Sequence, residues 1–377
     1  MTEPAAAPPP AALSCPSCGA AVTDAERFCE ACGAPLSPTV DVAEPIAAGA
    51  ESPVELSEPV KPYRPLAAAA PVVAATPGAA PCASCGGVVG EDDYCTTCGT
   101  KAVSPRDHYV EQPAAWVAAC CDRGIRHHRN EDATAVAADE QPGSRAVLVV
   151  CDGVSTSTDS DVAALAGARS ARDVLAGSQP SGLGVAASRA AALAQAFGVA
   201  TAQANAAVIA NTAPESDNAA SCTLAAAVVE GDLVVYGNVG DSRVYWLPDL
   251  GAGDALELSL DDSVAQVRIA MGVPREEAEN GPQAHAITKW LGRDSPDISP
   301  RTGSAELHVP GWVLVCSDGL WNYCSPAADL QALVASTSAA ISSGGETDPL
   351  PLAVALVAWA NAQGGRDNIS VALARHA

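Results

Sequence analysis

The chain has 377 residues, 48% of them hydrophobic and only 4% aromatic, with a formal net charge of -24. That length holds one large domain or two to three smaller ones, and the composition permits a sizeable core. Acidity on this scale disfavours nucleic acid and anionic membranes as partners. The N-terminus MTEPAAAPPP has no basic start and no apolar run, so it does not read as a signal peptide. No stretch has the ~18 consecutive apolar residues of a membrane span. Pro351 to Ala362 is apolar but too short, and reads as an amphipathic helix. These features predict a soluble, cytoplasmic protein with no membrane partner. Of the 14 cysteines, eight sit in CxxC pairs, which favours metal binding in a reducing compartment over a disulfide framework.

Residues 1–12 read as a disordered N-terminus. Cys15, Cys18, Cys29 and Cys32 follow in CPSCG AAVTDAERF CEACG, within a unit spanning 13–36. Cys82, Cys85, Cys95 and Cys98 form a second unit over 81–103, in CASCG GVVGEDDY CTTCG. A tetrahedral Zn²⁺ takes four thiolates, and a CxxC knuckle supplies two from one tight turn. The glycine after each knuckle lets the backbone fold around the sulfurs. About two structural Zn²⁺ per chain are expected. The two groups resemble the double zinc ribbon modules appended to many bacterial regulatory proteins. Between them, 37–80 is rich in Pro, Ala, Glu and Val without a period, and reads as an extended, disordered tether.

From about Ala114 the pattern changes to strands and turns with Ala-rich helical segments. Val147 to Val154 reads VLVVCDGV, a buried strand running into an Asp152-Gly153 turn. Helices are predicted over Ser160 to Ala176 and Gly184 to Thr212. Asn218 to Val229 is a strand in which Thr223 faces a cleft. Gly231 to Leu247 reads as a hairpin turning at Gly237 to Asp241. Leu258 to Arg301 is polar, and reads as a long functional insertion. Trp312 to Val315 then leads to Asp318-Gly319. Leu352 to Asn361 is a late helix, and Asp367 precedes a last strand, Asn368 to Ala374. Strands without a βαβ rhythm predict an antiparallel sandwich with helices outside.

One Asp-Gly turn means little. Four separated carboxylates, Asp152, Asp241, Asp318 and Asp367, each lie beside a strand. Together they point to one cluster of hard oxygen ligands for Mg²⁺ or Mn²⁺. Cys151 and Cys316 sit in apolar strands and read as packing residues.

With those residues in place, 112–377 resembles the metal-dependent protein phosphatases, the PPM family of type 2C serine/threonine phosphatases. The motifs are RHHRNEDA (Arg126 to Ala133), VVCDGV (Val149 to Val154), GDSRVYW (Gly240 to Trp246), CSDGLW (Cys316 to Trp321) and GGRDNISVA (Gly364 to Ala372). They occur in the family's order. The resemblance implies an α+β fold, a four-layer α/β/β/α sandwich of two antiparallel sheets flanked by helices. It implies hydrolysis of phosphoserine and phosphothreonine by a water bridging two Mg²⁺ or Mn²⁺ ions, with a weaker third ion. Asp152 matches the carboxylate that bridges both metals, and Gly153 the glycine offering its carbonyl. Asp318 and Asp367 match ligands of one metal. Glu131, with Asp132 beside it, matches the acidic residue of the other. Asp241 matches the aspartate that helps hold the third ion.

Two positions depart from the pattern. Where many relatives carry a phosphate-binding arginine, this chain has His127, flanked by Arg126 and Arg129. His127 is either a phosphate donor or a cleft residue with no direct role. Val154 stands where some relatives have a general-acid histidine. Asp261 to Asp297 matches the family's variable flap, and His285 reads as a histidine hydrogen-bonded within the flap base. The implied partners are phosphorylated proteins of a serine/threonine kinase pathway. Two rivals remain at this point. One is a catalytically silent phosphatase-like sensor or scaffold. The other is a nucleic-acid regulator acting through its ribbons, which the first 106 residues disfavour with five Lys/Arg against twelve Asp/Glu, 5 - 12 = -7.

Overall fold

The structure, a computed structural model, describes residues 13–14, 21–22, 66–68, 72–73, 81–82, 84–90, 94–100, 102–177, 185–212, 215–342 and 347–377. The chain divides into two units, 1–59 and 60–377. In the first, β1 (Leu13–Ser14) pairs antiparallel with β2 (Ala21–Val22). Cys15, Cys18, Cys29 and Cys32 lie outside the described residues.

The second unit opens with β3 (Ala67–Ala68) and β4 (Val72–Val73), followed by β5 (His108–Ala114), β6 (Val117–Asp122), β7 (Ala133–Ala138) and β8 (Ala146–Cys151). Two helices come next, α1 (Ser160–Ala176) and α2 (Ala186–Ala210). Then follow β9 (Ser221–Cys222), β10 (Leu224–Glu230), β11 (Leu233–Val239), β12 (Arg243–Pro248) and β13 (Leu256–Glu257). The flap holds α3 (Val264–Ala270) and α4 (Arg275–Glu279), and β14 (Leu291–Gly292) leads out of it. The chain ends with β15 (Arg301–Glu306), β16 (Gly311–Cys316), α5 (Asp318–Trp321), α6 (Ala327–Ile341), α7 (Pro349–Ala362) and β17 (Ile369–His376).

One sheet has six strands in the order β15-β11-β10-β8-β7-β3, and the other seven, β13-β12-β16-β17-β6-β5-β4. Every pairing is antiparallel. The period-2 alternation of a strand decides what each residue packs on. Val147, Val149 and Cys151 of β8 face α1 and α2, while Leu148 and Val150 meet the other sheet. In β16, Val313 and Val315 fill the inter-sheet core, and Trp312, Leu314 and Cys316 pack under α6 and α7. The expected four-layer sandwich is therefore present. α7 starts as its sequence dictates: Asp348 accepts from the Leu350 N–H at 2.9 Å, and Pro349 needs no amide partner.

Two expectations change, and one helix needs comment. Gly231 to Leu247 is not a hairpin, because β11 and β12 belong to different sheets. Gly240, at φ 97°, lies where the chain crosses between them. A side chain there would run into Thr223, so the crossing depends on glycine. Within the stretch read as a tether, β3 and β4 extend one sheet each, pairing with two residues of the edges offered by β7 and β5. Finally, α2 has the length and hydropathy of a membrane span, an effect of its alanines. Only one face of it, with Leu193, Phe197, Ala200, Ala204 and Val208, is buried against its neighbours, and the rest is exposed or half-buried.

Candidate metal centre

Strand ends from both sheets meet at one rim. Asp152 follows β8, Asp132 precedes β7, and the pairing of Ala133 with Cys151 sets them side by side. Asp318 opens α5 just after β16, Asp367 comes just before β17, and Asp241 lies between β11 and β12. Arg243 pairs with Cys316, and Cys316 with Val371, so these three segments end together. Close approach requires glycine beside two of the carboxylates. A Cβ on Gly153 would lie 2.5 Å from the Glu131 carbonyl oxygen, and one on Gly319 would lie 1.9 Å from that of Asn368.

The electrostatics of this rim are severe. Burial pushes the Asp152 carboxyl well above the usual carboxylate range, and Asp132, Asp318, Asp367 and Asp241 push it further. Burial, then Asp367 and Asp241, do the same to Asp318. Asp132 is raised to about 7, mainly by burial and also by Asp367. Asp241 is raised to about 7 by burial and Asp261, against the opposing pull of Arg243. Both Asp132 carboxylate oxygens and Oδ1 of Asp318 are buried without a hydrogen-bond partner. Buried polar atoms are normally satisfied. Unsatisfied carboxylate oxygens converging on one place fit a hard divalent cation, which supplies the missing partner and cancels the repulsion.

Supports for these ligands went unread in the sequence. The Asp152 N–H donates to Thr223 Oγ1 at 3.0 Å, and Thr223 Oγ1 lies 2.7 Å from Ser242 Oγ. Asn368 accepts from the Glu131 N–H at 2.8 Å and donates to the carbonyls of Arg123 and Arg129. Arg106 donates to the Asp132 carbonyl at 2.8 Å. Hydrogen-bonding capacity alone hinted at these roles, since their partners are far away in sequence.

Glu131 is already engaged. Its Oε1 accepts from Arg129 at 2.7 Å and from Ser160. Burial would raise its carboxyl, but Ser160 and Arg129 hold it below the usual range. The expected pair thus divides, with Glu131 in a side-chain network and Asp132 carrying the open oxygens. The three candidates for phosphate binding also separate. Arg129 is committed to Glu131, with Asp161 at 3.8 Å. His127 bridges Glu131 Oε2, at 3.7 Å, and Asp367 Oδ1, at 3.2 Å. Arg126 is exposed, and its side chain has no partner among the described residues. His285 makes no hydrogen bond among the described residues; its ring lies 5.9 Å from that of Trp321. Cys151 and Cys316 are fully buried, in keeping with packing roles.

The second cysteine group comes together. The sulfurs of Cys82, Cys85, Cys95 and Cys98 all lie within 4.8 Å of one another. Gly86 and Gly99, at φ 72° and 71°, close two similar knuckles through bonds to the carbonyls of Cys82 and Cys95. The Thr100 side chain leads in lowering the Cys98 thiol to about 6, while Cys98 in turn raises the neighbouring Cys85 thiol to about 12. Four converging sulfurs of this kind fit Zn²⁺.

A sandwich with carboxylates along one rim defines a phosphatase-like class, and comparison with known proteins agrees. The protein phosphatase 2C model matches residues 124–348, and the double zinc ribbon model matches 15–109. The chain belongs to the protein phosphatase 2C family. It is 32% identical over 156 residues to protein phosphatase PhpP of Streptococcus pneumoniae, covering 40% of this chain and 56% of that protein's length. The serine/threonine phosphatase stp of Listeria monocytogenes is 27% identical over 260 residues, 67% of this chain and 92% of that protein. The crystal structure of the Mycobacterium tuberculosis serine/threonine phosphatase PstP/Ppp superposes with a TM-score of 0.51 at 26% identity, covering 69% of this chain and 97% of that one.

Proposed function

We propose that this chain hydrolyses phosphoserine and phosphothreonine in proteins, using Mn²⁺ or Mg²⁺ held by Asp132, Asp152, Asp318 and Asp367. Asp241 serves a weaker third position, and Gly153 offers its carbonyl. The observation that carries this reading is the convergence of buried carboxylates with unsatisfied oxygens. When bound, the ions lower the pKa of a water and neutralise phosphoryl charge. The chain's own residues fix the geometry. Thr223 and Ser242 orient the Asp152 backbone, and Asn368 ties the Glu131 loop to the base of β17. Hard carboxylates favour Mg²⁺ and Mn²⁺ over softer ions. The ribbons, with about two Zn²⁺, serve regulation or partner binding. The relatives' names support phosphoproteins as substrates; a serine/threonine kinase pathway in the cytoplasm is part of the same proposal.

The test is hydrolysis of a phosphothreonine peptide with Mn²⁺, with EDTA, and by Asp152→Asn. EDTA should abolish turnover, and Asp152→Asn should lower it at least about 100-fold, as expected when preorganised charge at the reacting group is lost. Unchanged turnover in Asp152→Asn would sink the assignment.

A further inference from the structure

A cleft of about 1010 Å³ is lined by Gly319 and Asp367 of the metal rim together with residues of the flap and of the segment after α5. One wall is α4 of the flap, with Arg275, Glu276 and Glu279. The other is formed by Trp321 to Pro326 and Asp329, and Arg366 stands next to Asp367 at the metal end. The walls are firmly held. Arg243 is 1% exposed and bonded to Asp261 and Glu279, with its guanidinium carbon 3.6 Å from the Trp321 ring centroid. Trp321 in turn donates to the Asp241 carbonyl at 2.9 Å. The flap wall is thereby tied to the metal rim.

The charges in the cleft are unequal in freedom. Arg275 is taken up by Glu257 and Glu279, at 3.0 and 2.8 Å. Arg366 is exposed, and its side chain has no partner among the described residues. Its backbone is fixed at the wall, because the Arg366 N–H donates to Tyr323 Oη at 3.0 Å. Among the arginines weighed for phosphate binding, Arg129 is paired and Arg126 does not line the cleft. Glu276 and Asp329 are exposed acids, also without side-chain partners among the described residues. They line the cleft from two different helices, α4 and α6.

We propose that this cleft binds the peptide flanking the phosphorylated residue, that Arg366 grips the phosphate, and that Glu276 and Asp329 select substrates with a basic residue beside the phosphosite. The proposal rests on the phosphatase reading above. A guanidinium meets a phosphate through paired hydrogen bonds, which the imidazole at position 127 cannot offer. The chain's net charge of -24 repels an acidic phosphopeptide, and a basic flank offsets that repulsion. The free acids then favour the same substrates at short range.

The test uses the full chain with Mn²⁺ and two phosphothreonine peptides differing only in lysine or glutamate at the flanking positions, plus p-nitrophenyl phosphate. Wild type should prefer the basic peptide by about threefold to tenfold in kcat/KM, the range for two exposed charge pairs. The ratio is read within each variant, so changes in overall turnover do not enter. Glu276→Lys combined with Asp329→Lys should level or invert it. Arg366→Ala should raise KM for both peptides about tenfold with a smaller change in kcat, and Arg366→Lys should recover only part. Equal kcat/KM for the two peptides in wild type, or a ratio that survives both charge reversals, overturns the cleft as the selector. An unchanged KM in Arg366→Ala overturns the phosphate role. Failure to hydrolyse any of the three probes overturns the phosphatase reading, and the cleft proposal with it.

Discussion

Replacing Asp132 by asparagine removes one negative charge from the carboxylate cluster and nearly preserves its shape. In the fold this carboxyl sits at about 7, against 3.8 for the free group. A rise of that size corresponds to about 4 kcal/mol between the two protonation states. Folding favours the protonated form, because the folded value is the higher one. In the metal-free protein this group therefore adds no penalty below about pH 4. It lowers stability as pH climbs, and its penalty is complete above about pH 7. Asparagine carries no such penalty. In EDTA, Asp132→Asn should melt above wild type at about pH 8 and close to it at about pH 4.5. For a domain of this size the gap corresponds to roughly 10 °C as an upper bound, trimmed by water entry and relaxation.

Manganese should reverse the order. Binding to the folded state adds stability in proportion to affinity, and the variant lacks one anionic ligand. Wild type should then melt above Asp132→Asn at about pH 8. Differential scanning calorimetry in EDTA and in Mn²⁺, at both pH values, gives the comparison. If Asp132→Asn lowers the melting temperature equally with and without Mn²⁺, the carboxylate makes ordinary stabilising contacts and is not a metal ligand.

The ribbon can be tested apart from the catalytic centre. Cys95→Ser in the full chain should reduce bound zinc by about one ion in elemental analysis while phosphopeptide hydrolysis persists; an unchanged zinc content refutes the Cys₄ site. Arg243→Ala leaves Asp261 buried without its cation and should cost about 3–5 kcal/mol, seen as a lower urea midpoint. A loss below about 1 kcal/mol would show that the Arg243 network adds little.

Much of the architecture was legible because local patterns determine it. The helix over Ser160 to Ala176 was read to the residue, and β8 and β16 were plain as apolar runs ending at aspartates. The hairpin reading of Gly231 to Leu247 failed for a physical reason. Both strands are almost wholly buried, so their sequence carries no sign of which sheet each joins. β11 instead forms a tight hairpin with the strand before it, β10, with Glu230 opposite Leu233, and takes β15 on its other side, while β12 pairs with β13 and β16. Glu131 and Asp132 show the same limit. Successive side chains near a strand start point to opposite sides, so one enters the cluster while the other meets Arg129 and Ser160. Three cations flanking the NED motif could not be ranked either. Only packing reveals that Arg129 is paired with Glu131 and that His127 spans two carboxylates.

The site draws on positions from Asp132 to Asp367, and local hydrogen bonds such as that from the Asn368 N–H to Asp367 are too few to build it. Each carboxylate is placed by a strand end, and the strands belong to two sheets locked by one inter-sheet core. That arrangement answers the electrostatic problem. Mutually repelling carboxylates on mobile loops would separate, whereas strand ends anchored in a dry core are held where they are. The repulsion persists in the metal-free fold and is removed when a cation binds. The same rigidity that makes the empty cluster costly thus makes it a preorganised ligand set, with stability and metal affinity opposed at the same atoms. Asp132 is a position where that opposition can be measured, because burial and Asp367 raise its carboxyl to about 7 and both of its oxygens are buried.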